Sequence, residues 1–439
     1  MMNTPICDFV QNYINSNPVR VHMPGHKGGG KIERFDLTEI VGADVLYDPH
    51  GIILESQQNA TEIFGSKKTV YSVEGSSLSI RAMLYLVRLF AKKPKILAAR
   101  NAHKVFISAA ALLGIDVEWI FPKNSNYISC DLTADELDNL LSTSSEKPTA
   151  VYLTSPDYLG NILDIGGISA VCKKHGVLLL VDNAHGAYLN FLPENQHPIS
   201  LGADLCCDSA HKTLNCLTGC GYLHIGKNAP DLFANEIERA MTAFASTSPS
   251  YLLLQSLDKA NAYLDGKYKS ELVTKCKQIE TVKSTLSSVG YEFIGNEPLK
   301  MTFCAKKYGY TGDELARILE SENVFCEFFD PDFLVMMFTP QSGDDIQKVC
   351  DILLKIPKKT EISSVAPSMA KPLLAVNPTD AIFSISESVL VDECVGRVLA
   401  DASVSCPPAI PIVSCGEQIE KDAAQVLKYY GINRLNVIK

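Results

Sequence analysis

Apolar residues fall along this chain in two alternating rhythms. Short continuous runs, such as "KILAA" at 95–99, "TAVYLT" at 149–154 and "VLLLVD" at 177–182, are bounded by turn residues. Between them lie stretches with apolar positions three or four apart. These include "VFISAAALLG" at 105–114, "TADELDNLLSTS" at 133–144 with Thr133 as a cap, and "DIGGISAVCKKHG" at 164–176. The runs predict strands buried on both faces, and the spaced stretches predict amphipathic helices. Their alternation predicts an α/β fold built on a mainly parallel sheet with helices on both faces. Ligands of such sheets sit beyond the carboxyl ends of the strands. His103, Tyr158, Asp182, His185 and Lys212 all fall at those ends.

The flanks of this pattern read differently. Residues 1–40 hold a short helical stretch, "PICDFVQNYINSN", and then "VRVHMPGHKGGGK" at 19–31, whose four glycines and one proline cannot sustain a regular element. Composition alone favours a surface loop; the functional alternative is an N-terminal arm lying near an active site or across a subunit partner. Residues 41–288 form the expected large domain, closing with a long helix. A β-β-α-β-β-α pattern over 289–358 predicts a small α+β domain. Residues 359–439 open with the polar linker "PKKTEISSVAPSMAKP", begun at Pro357, and are expected to form a last domain.

Composition narrows the class. Of 439 residues 46% are hydrophobic and 21% charged, an ordinary globular balance that suits two or three domains. The net charge of −10, with no basic run, disfavours a nucleic-acid or anionic-membrane partner. No apolar run approaches membrane-spanning length, and the polar start lacks the form of a signal peptide, so a cytoplasmic protein is expected. The fourteen cysteines are scattered and form no CxxC pair, which predicts small buried hydrophobes and no metal.

The chemistry concentrates around "DLCCDSAHKTLNCLTGCG" at 204–221. Lys212 follows an apolar lead-in, is flanked by Ser209, His211 and Thr213, and precedes a glycine-bearing turn. Such a lysine suits an amine kept in a cleft for Schiff-base chemistry. Thirty residues earlier, Asp182 ends a buried strand. This pair is what a pyridoxal 5'-phosphate enzyme needs, with a carboxylate for the pyridine nitrogen and a lysine for the aldehyde carbon. Upstream, Gly75, Ser76 and Ser77 form a turn between a β-branched strand and a helix running to about Phe90. Hydroxyls and free amides at a helix start suit an anion.

These segments resemble the bacterial Orn/Lys/Arg decarboxylases of the aspartate-aminotransferase fold, in their short form without an N-terminal wing domain. The resemblance spans nearly the whole chain. It rests on "HMPGHKGG" at 22–29, "DPHGIILESQ" at 48–57, "RNAHK" at 100–104, "TSPDYLGN" at 154–161 and "VDNAHGAY" at 181–188. It continues through "SAHKTL" from Ser209, "TSPSYLLLQSLD" at 247–258 and "CPPAIPIVSCGE" at 406–417. It implies pyridoxal 5'-phosphate held covalently by Lys212, with Asp182 on the ring nitrogen and His103 stacked on the ring. Ser76, Ser77, Ser209 and His211 would hold the phosphate, with Thr247 reaching it from a partner subunit. Ala184 would pack beneath the ring and His185 would lie near the phenolic oxygen. His26, Tyr158 and Glu417 are the substrate-side candidates. The implied assembly is a homodimer, or a higher homo-oligomer, with shared sites.

The implied reaction is α-decarboxylation of arginine, lysine or ornithine to the corresponding amine, as in polyamine biosynthesis. The sequence departs from the family pattern at Glu74, where a carboxylate stands beside the phosphate loop, and at Ala409 and Cys415, which bear on the entrance to the site. Two alternatives remain: another enzyme of this fold, such as an aminotransferase or aldolase, and a non-catalytic relative. Arg317 is the only arginine between Tyr291 and Ile356, which disfavours an aminotransferase carboxylate clamp there.

Overall fold

The computed structural model describes residues 2–123, 128–406 and 410–439. Its first half runs α1 (Pro5–Asn15), α2 (Ile52–Phe64), β1 (Lys68–Ser72), α3 (Gly75–Phe90), β2 (Lys95–Ala99), α4 (Lys104–Leu112) and β3 (Asp116–Ile120). There follow α5 (Ala134–Thr143), β4 (Ala150–Thr154), α6 (Ile165–His175), β5 (Leu178–Asp182), β6 (Leu205–Asp208), α7 (Ala210–Thr213) and β7 (Gly221–Ile225). Helices α8 (Asp231–Thr242), α9 (Tyr251–Asp265) and α10 (Tyr268–Ser288) come next. Beyond them lie β8 (Phe293–Ile294), β9 (Lys300–Cys304), α11 (Gly312–Ser321), β10 (Phe328–Phe329), β11 (Phe333–Met337) and α12 (Asp345–Leu353). The last segment holds α13 (Pro378–Ile382), β12 (Ser386–Leu390), β13 (Ser403–Cys406), β14 (Ile410–Ser414), α14 (Lys421–Tyr429) and β15 (Arg434–Ile438).

Two compact units emerge, residues 1–92 with 165–272, and residues 93–164 with 273–439. In the first, the strands lie in the order β1-β7-β6-β5. β5 and β6 are parallel, while β7 runs antiparallel to both β6 and β1. It follows that β1, β5 and β6 point the same way and deliver their carboxyl ends to one edge. The apolar run of β5 is wholly buried, as are β6 and β7. The expected α/β class with mainly parallel pairing is therefore observed, and β7 is an antiparallel insertion that the sequence pattern did not reveal. Gly75, Ser76 and Ser77, expected as a turn, form the first turn of α3 itself.

In the second unit β2 pairs in parallel with β3 and β4. Thr133 caps α5 as expected, its hydroxyl accepting from the Glu136 amide while Glu136 accepts from the Thr133 amide. The β-β-α-β-β-α stretch forms an antiparallel sheet in the order β10-β11-β9-β8. The last segment packs β14 and α14 residues, including Ile412, Val413, Val426 and Leu427, into one apolar cluster with Leu159 and Val335. No helix among the described residues is long and apolar enough to cross a membrane.

One buried acid in the turn between β10 and β11 gives this unit a pH signature. Asp330 Oδ1 accepts from the amides of Asp332 and Phe333, both at 2.7 Å, while Oδ2 has no partner among the described residues. Burial pushes its pKa up from 3.8 to about 7. Folded Asp330 thus retains a proton that the unfolded chain has released, and stability falls as pH rises through this window. Asp330→Asn keeps the two amide bonds and removes the titration. It is expected to be more stable than wild type at pH 8 by about 4 kcal/mol, and little different at pH 4. Thermal unfolding of both proteins at the two pH values checks this; parallel pH profiles would refute it.

Candidate functional site

The carboxyl edge of the first unit gathers most of the residues singled out above. β5 ends at Asp182, which is 2% exposed. Its Oδ1 accepts from the Ala184 amide at 3.2 Å and lies 3.6 Å from the Cys207 thiol. That thiol is fully buried beside two carboxylates, which pushes its pKa well up and keeps it a donor. His185 follows on the same turn and is 4% exposed. Its Nε2 lies 3.0 Å from Lys212 Nζ.

Lys212 sits on α7, a single helical turn directly after β6, and is partly buried. The turn is pinned at both sides. The His211 amide and its ring Nδ1 both donate to the Cys220 carbonyl, at 3.2 and 2.8 Å. The Lys212 amide donates to the Ser209 carbonyl at 3.0 Å. A nitrogen bonded to a carbonyl must carry its proton, so His211 holds its Nδ1–H inward and turns Nε2 the other way.

Ser209 also reaches the start of α3, where its hydroxyl donates to Ser76 Oγ at 2.8 Å. No side chain caps this 16-residue helix. Gly75 is left-handed, with φ at 65°, and a Cβ there would stand 3.5 Å from His211 Cε1. Two hydroxyls, uncapped amides and a positive helix end form a donor set suited to a phosphate. A buried carboxylate and an amine stand on the same edge. This donor set fits pyridoxal 5'-phosphate: Lys212 would bond its carbon, Asp182 its ring nitrogen, and Ser76, Ser77 and Ser209 its phosphate. Ala184, 8% exposed, is the small residue two positions after Asp182, whose side chain accepts from its amide.

Glu74, the departure from the family pattern, has a definite partner. Its Oε1 accepts from the Ser246 amide at 2.7 Å. The carboxylate thereby anchors the stretch between α8 and α9. Ser246, Thr247 and Ser248 in that stretch are exposed. Proline and small polar residues leave it without an apolar face to bury. His26, in the turn-rich arm, is also largely exposed, with Nε2 3.2 Å from Asp36 Oδ2 and Nδ1 accepting from the Gly28 amide.

The remaining candidates belong to the second unit. His103 is the N-cap of α4, accepting from the Val105 amide at 3.2 Å. Tyr158 donates to Glu327 Oε1 at 2.7 Å. Glu417 is 3% exposed, and its two oxygens accept from Arg100 Nη1 and Nη2 at 2.7 Å each. Glu417 Oε2 accepts from the Ser414 amide as well. A buried bidentate pair fixes the end of the chain to the "RNAHK" segment, a structural duty that sequence reasoning missed. Cys415 is buried, its thiol directed at the carbonyls of Ala400 and Pro378, and burial raises its pKa to about 11. Ala409 lies outside the described residues. Arg317 is exposed on α11.

Comparison with known proteins identifies the family. Residues 4–296 match the family model described as Orn/Lys/Arg decarboxylase, major domain, and residues 365–435 match that of the C-terminal domain. The arginine decarboxylase of Halalkalibacterium halodurans is 30% identical over 95% of this chain and 91% of its own. That of Bacillus subtilis is 29% identical over 95% of this chain and 92% of its own. Among solved structures, the lysine decarboxylase of Francisella novicida superposes with a TM-score of 0.80 at 17% identity, covering 100% of this chain and 81% of that one. At that identity the likeness speaks for the fold.

Proposed function

The chain belongs to the Orn/Lys/Arg decarboxylase family, pyridoxal-phosphate-dependent decarboxylases, and from that premise we propose that it removes the α-carboxylate of a basic amino acid as carbon dioxide. The observation that carries this reading is the grouping of Lys212, Asp182, Ser76 and Ser209 on one strand edge. When bound, the cofactor supplies an electron sink for the bonding pair left by the departing carboxylate. Lys212 offers the amine that would hold the cofactor. His185, 3.0 Å from Lys212 Nζ, can share a proton with that amine. Asp182 would keep a proton on the ring nitrogen, and the Ser76 and Ser209 hydroxyls with the α3 amides would anchor the phosphate. The family resemblance adds His103 as the ring-stacking residue.

Relatives named arginine decarboxylase make arginine the first substrate to test. Pure protein with cofactor is incubated separately with arginine, lysine and ornithine. The expected result is carbon dioxide and the matching amine from one of the three. Keto acid without carbon dioxide would favour an aminotransferase, and no turnover of any amino acid would favour a non-catalytic relative.

The exposed Thr247 stretch fits a homodimer in which each site takes Thr247 from the partner. Mixing the inactive variants Lys212→Ala and Thr247→Trp is then expected to restore up to about a quarter of wild-type activity, since half of randomly formed dimers are hybrids with one intact site. No rescue, with hybrids shown to form, would remove Thr247 from the shared site.

A further inference from the structure

A cluster beneath the strand edge has no part in the chemistry above. His197, Asp208 and His224 are each 0% exposed. Asp208 Oδ2 accepts from His197 Nε2 at 3.0 Å and from His224 Nε2 at 3.1 Å. Its other oxygen, Oδ1, accepts from Asn183 Nδ2 at 2.7 Å and lies 3.8 Å from the Cys206 thiol. The Phe64 ring packs on both imidazoles, 4.5 Å from His224 and 5.3 Å from His197.

The ring partners fix the protonation. His197 Nδ1 accepts from the Ile199 amide at 3.3 Å, so its proton sits on Nε2 and faces Asp208. His224 Nδ1 lies 2.8 Å from the Thr69 hydroxyl, and burial lowers the pKa of this ring. A neutral His224 must also turn an Nε2–H to the carboxylate, because its lone pair would be repelled there. A metal-bound histidine has the opposite arrangement, a bare nitrogen on the ion and an N–H donating outward. The His197 geometry is therefore that of a hydrogen-bonded carboxylate and not of an ion site. With donors on both oxygens, Asp208 remains ionised despite full burial: desolvation raises its pKa, and the two imidazoles more than reverse this.

The position of the cluster gives it a role. Asp208 immediately precedes Ser209 and stands four residues before Lys212, while Asn183 immediately follows Asp182. The Asn183–Asp208 bond therefore ties the end of β5 to the end of β6, alongside the Asn183 amide bond to the Cys207 carbonyl at 3.0 Å. We propose that Asp208, clamped by His197 and His224, is a positioning residue that sets the spacing of Asp182 from Ser209 and Lys212 through Asn183. This rests on the assignment of Asp182 and Lys212 to the cofactor. A displaced Asp182 would hold the ring-nitrogen proton less firmly, which changes the optical titration of the bound cofactor as well as the rate.

Asp208→Asn tests this directly. The charge is lost, and the new NH2 group meets the Asn183 side chain, which must flip to offer its unpartnered oxygen and so gives up the donation that ties β5 to β6. Asn183→Ser removes only the tie and leaves the buried carboxylate with its histidines, which covers a failure of the first variant to fold. For holoenzyme of each variant that folds, kcat is expected to fall about tenfold with KM within about twofold. The pH midpoint of the visible cofactor band is expected to move by at least about half a unit. Unchanged kcat and midpoint in a folded Asn183→Ser holoenzyme would overturn the proposal. So would a loss of thermal stability with no shift of the band, or zinc retained stoichiometrically by the wild-type protein. If wild-type protein shows no cofactor band at all, the assignment of Lys212 and Asp182 fails first, and this inference with it.

Discussion

Lys212→Ala is expected to lower turnover by at least about four orders of magnitude, above 5 kcal/mol of barrier, and to abolish covalent attachment of the cofactor. Borohydride reduction of the wild-type holoenzyme should leave the pyridoxyl group on the peptide carrying Lys212. The argument is positional. Lys212 emerges from a single helical turn at the carboxyl end of β6, with Nζ 3.0 Å from His185 Nε2. Two other lysines of the first unit are committed elsewhere: Lys67 pairs with Asp231, and Lys68 with Glu238. Lys212→Arg separates charge from chemistry, since a guanidinium keeps the cation but is too weak a nucleophile to bond the aldehyde carbon. It should be as inactive as the alanine variant. A pyridoxyl group mapped to another lysine, or measurable turnover in Lys212→Arg, would end the assignment.

The sequence was most legible where hydrophobicity alone decides structure. "LLLVD" reads as a strand because a segment buried on both faces must be continuously apolar, and Asp182 stands out as the polar residue that ends it. The alternation with α4, α5 and α6 follows from the same rule. β7 was hidden because "GYLHI" follows the glycines of the turn and carries a histidine in its interior. His224 is tolerated there only because Asp208 and Thr69 satisfy both ring nitrogens, a fact of tertiary contact that no window of sequence contains. The same holds for the Asp208 cluster as a whole. Its members stand eleven and sixteen residues from Asp208, and only the turn from β6 into β7 brings His224 back. Lys212 and Asp182 were recognisable by type and strand position. Their supports were not, because hydrogen-bond partners are chosen by the fold.

Asp182→Asn is the more discriminating of the two large-effect substitutions, because it preserves almost everything except one function. Asp182 is 2% exposed, and its Oδ1 accepts from the Ala184 amide at 3.2 Å. An asparagine keeps that bond with its own oxygen and nearly the same volume, so the fold and the lysine attachment should survive. What it offers in place of the second oxygen is an NH2 group, a donor where the pyridine nitrogen's proton needs an acceptor. The ring then loses its stabilised positive charge and becomes a poorer electron sink. Turnover is expected to drop by at least about two orders of magnitude, roughly 3 kcal/mol of barrier, while borohydride still traps the cofactor on Lys212. The two readouts separate the roles: attachment belongs to the lysine, and activation to the carboxylate. An Asp182→Asn enzyme that binds cofactor and turns over at the wild-type rate would show that the carboxylate merely ends β5 and caps the following turn.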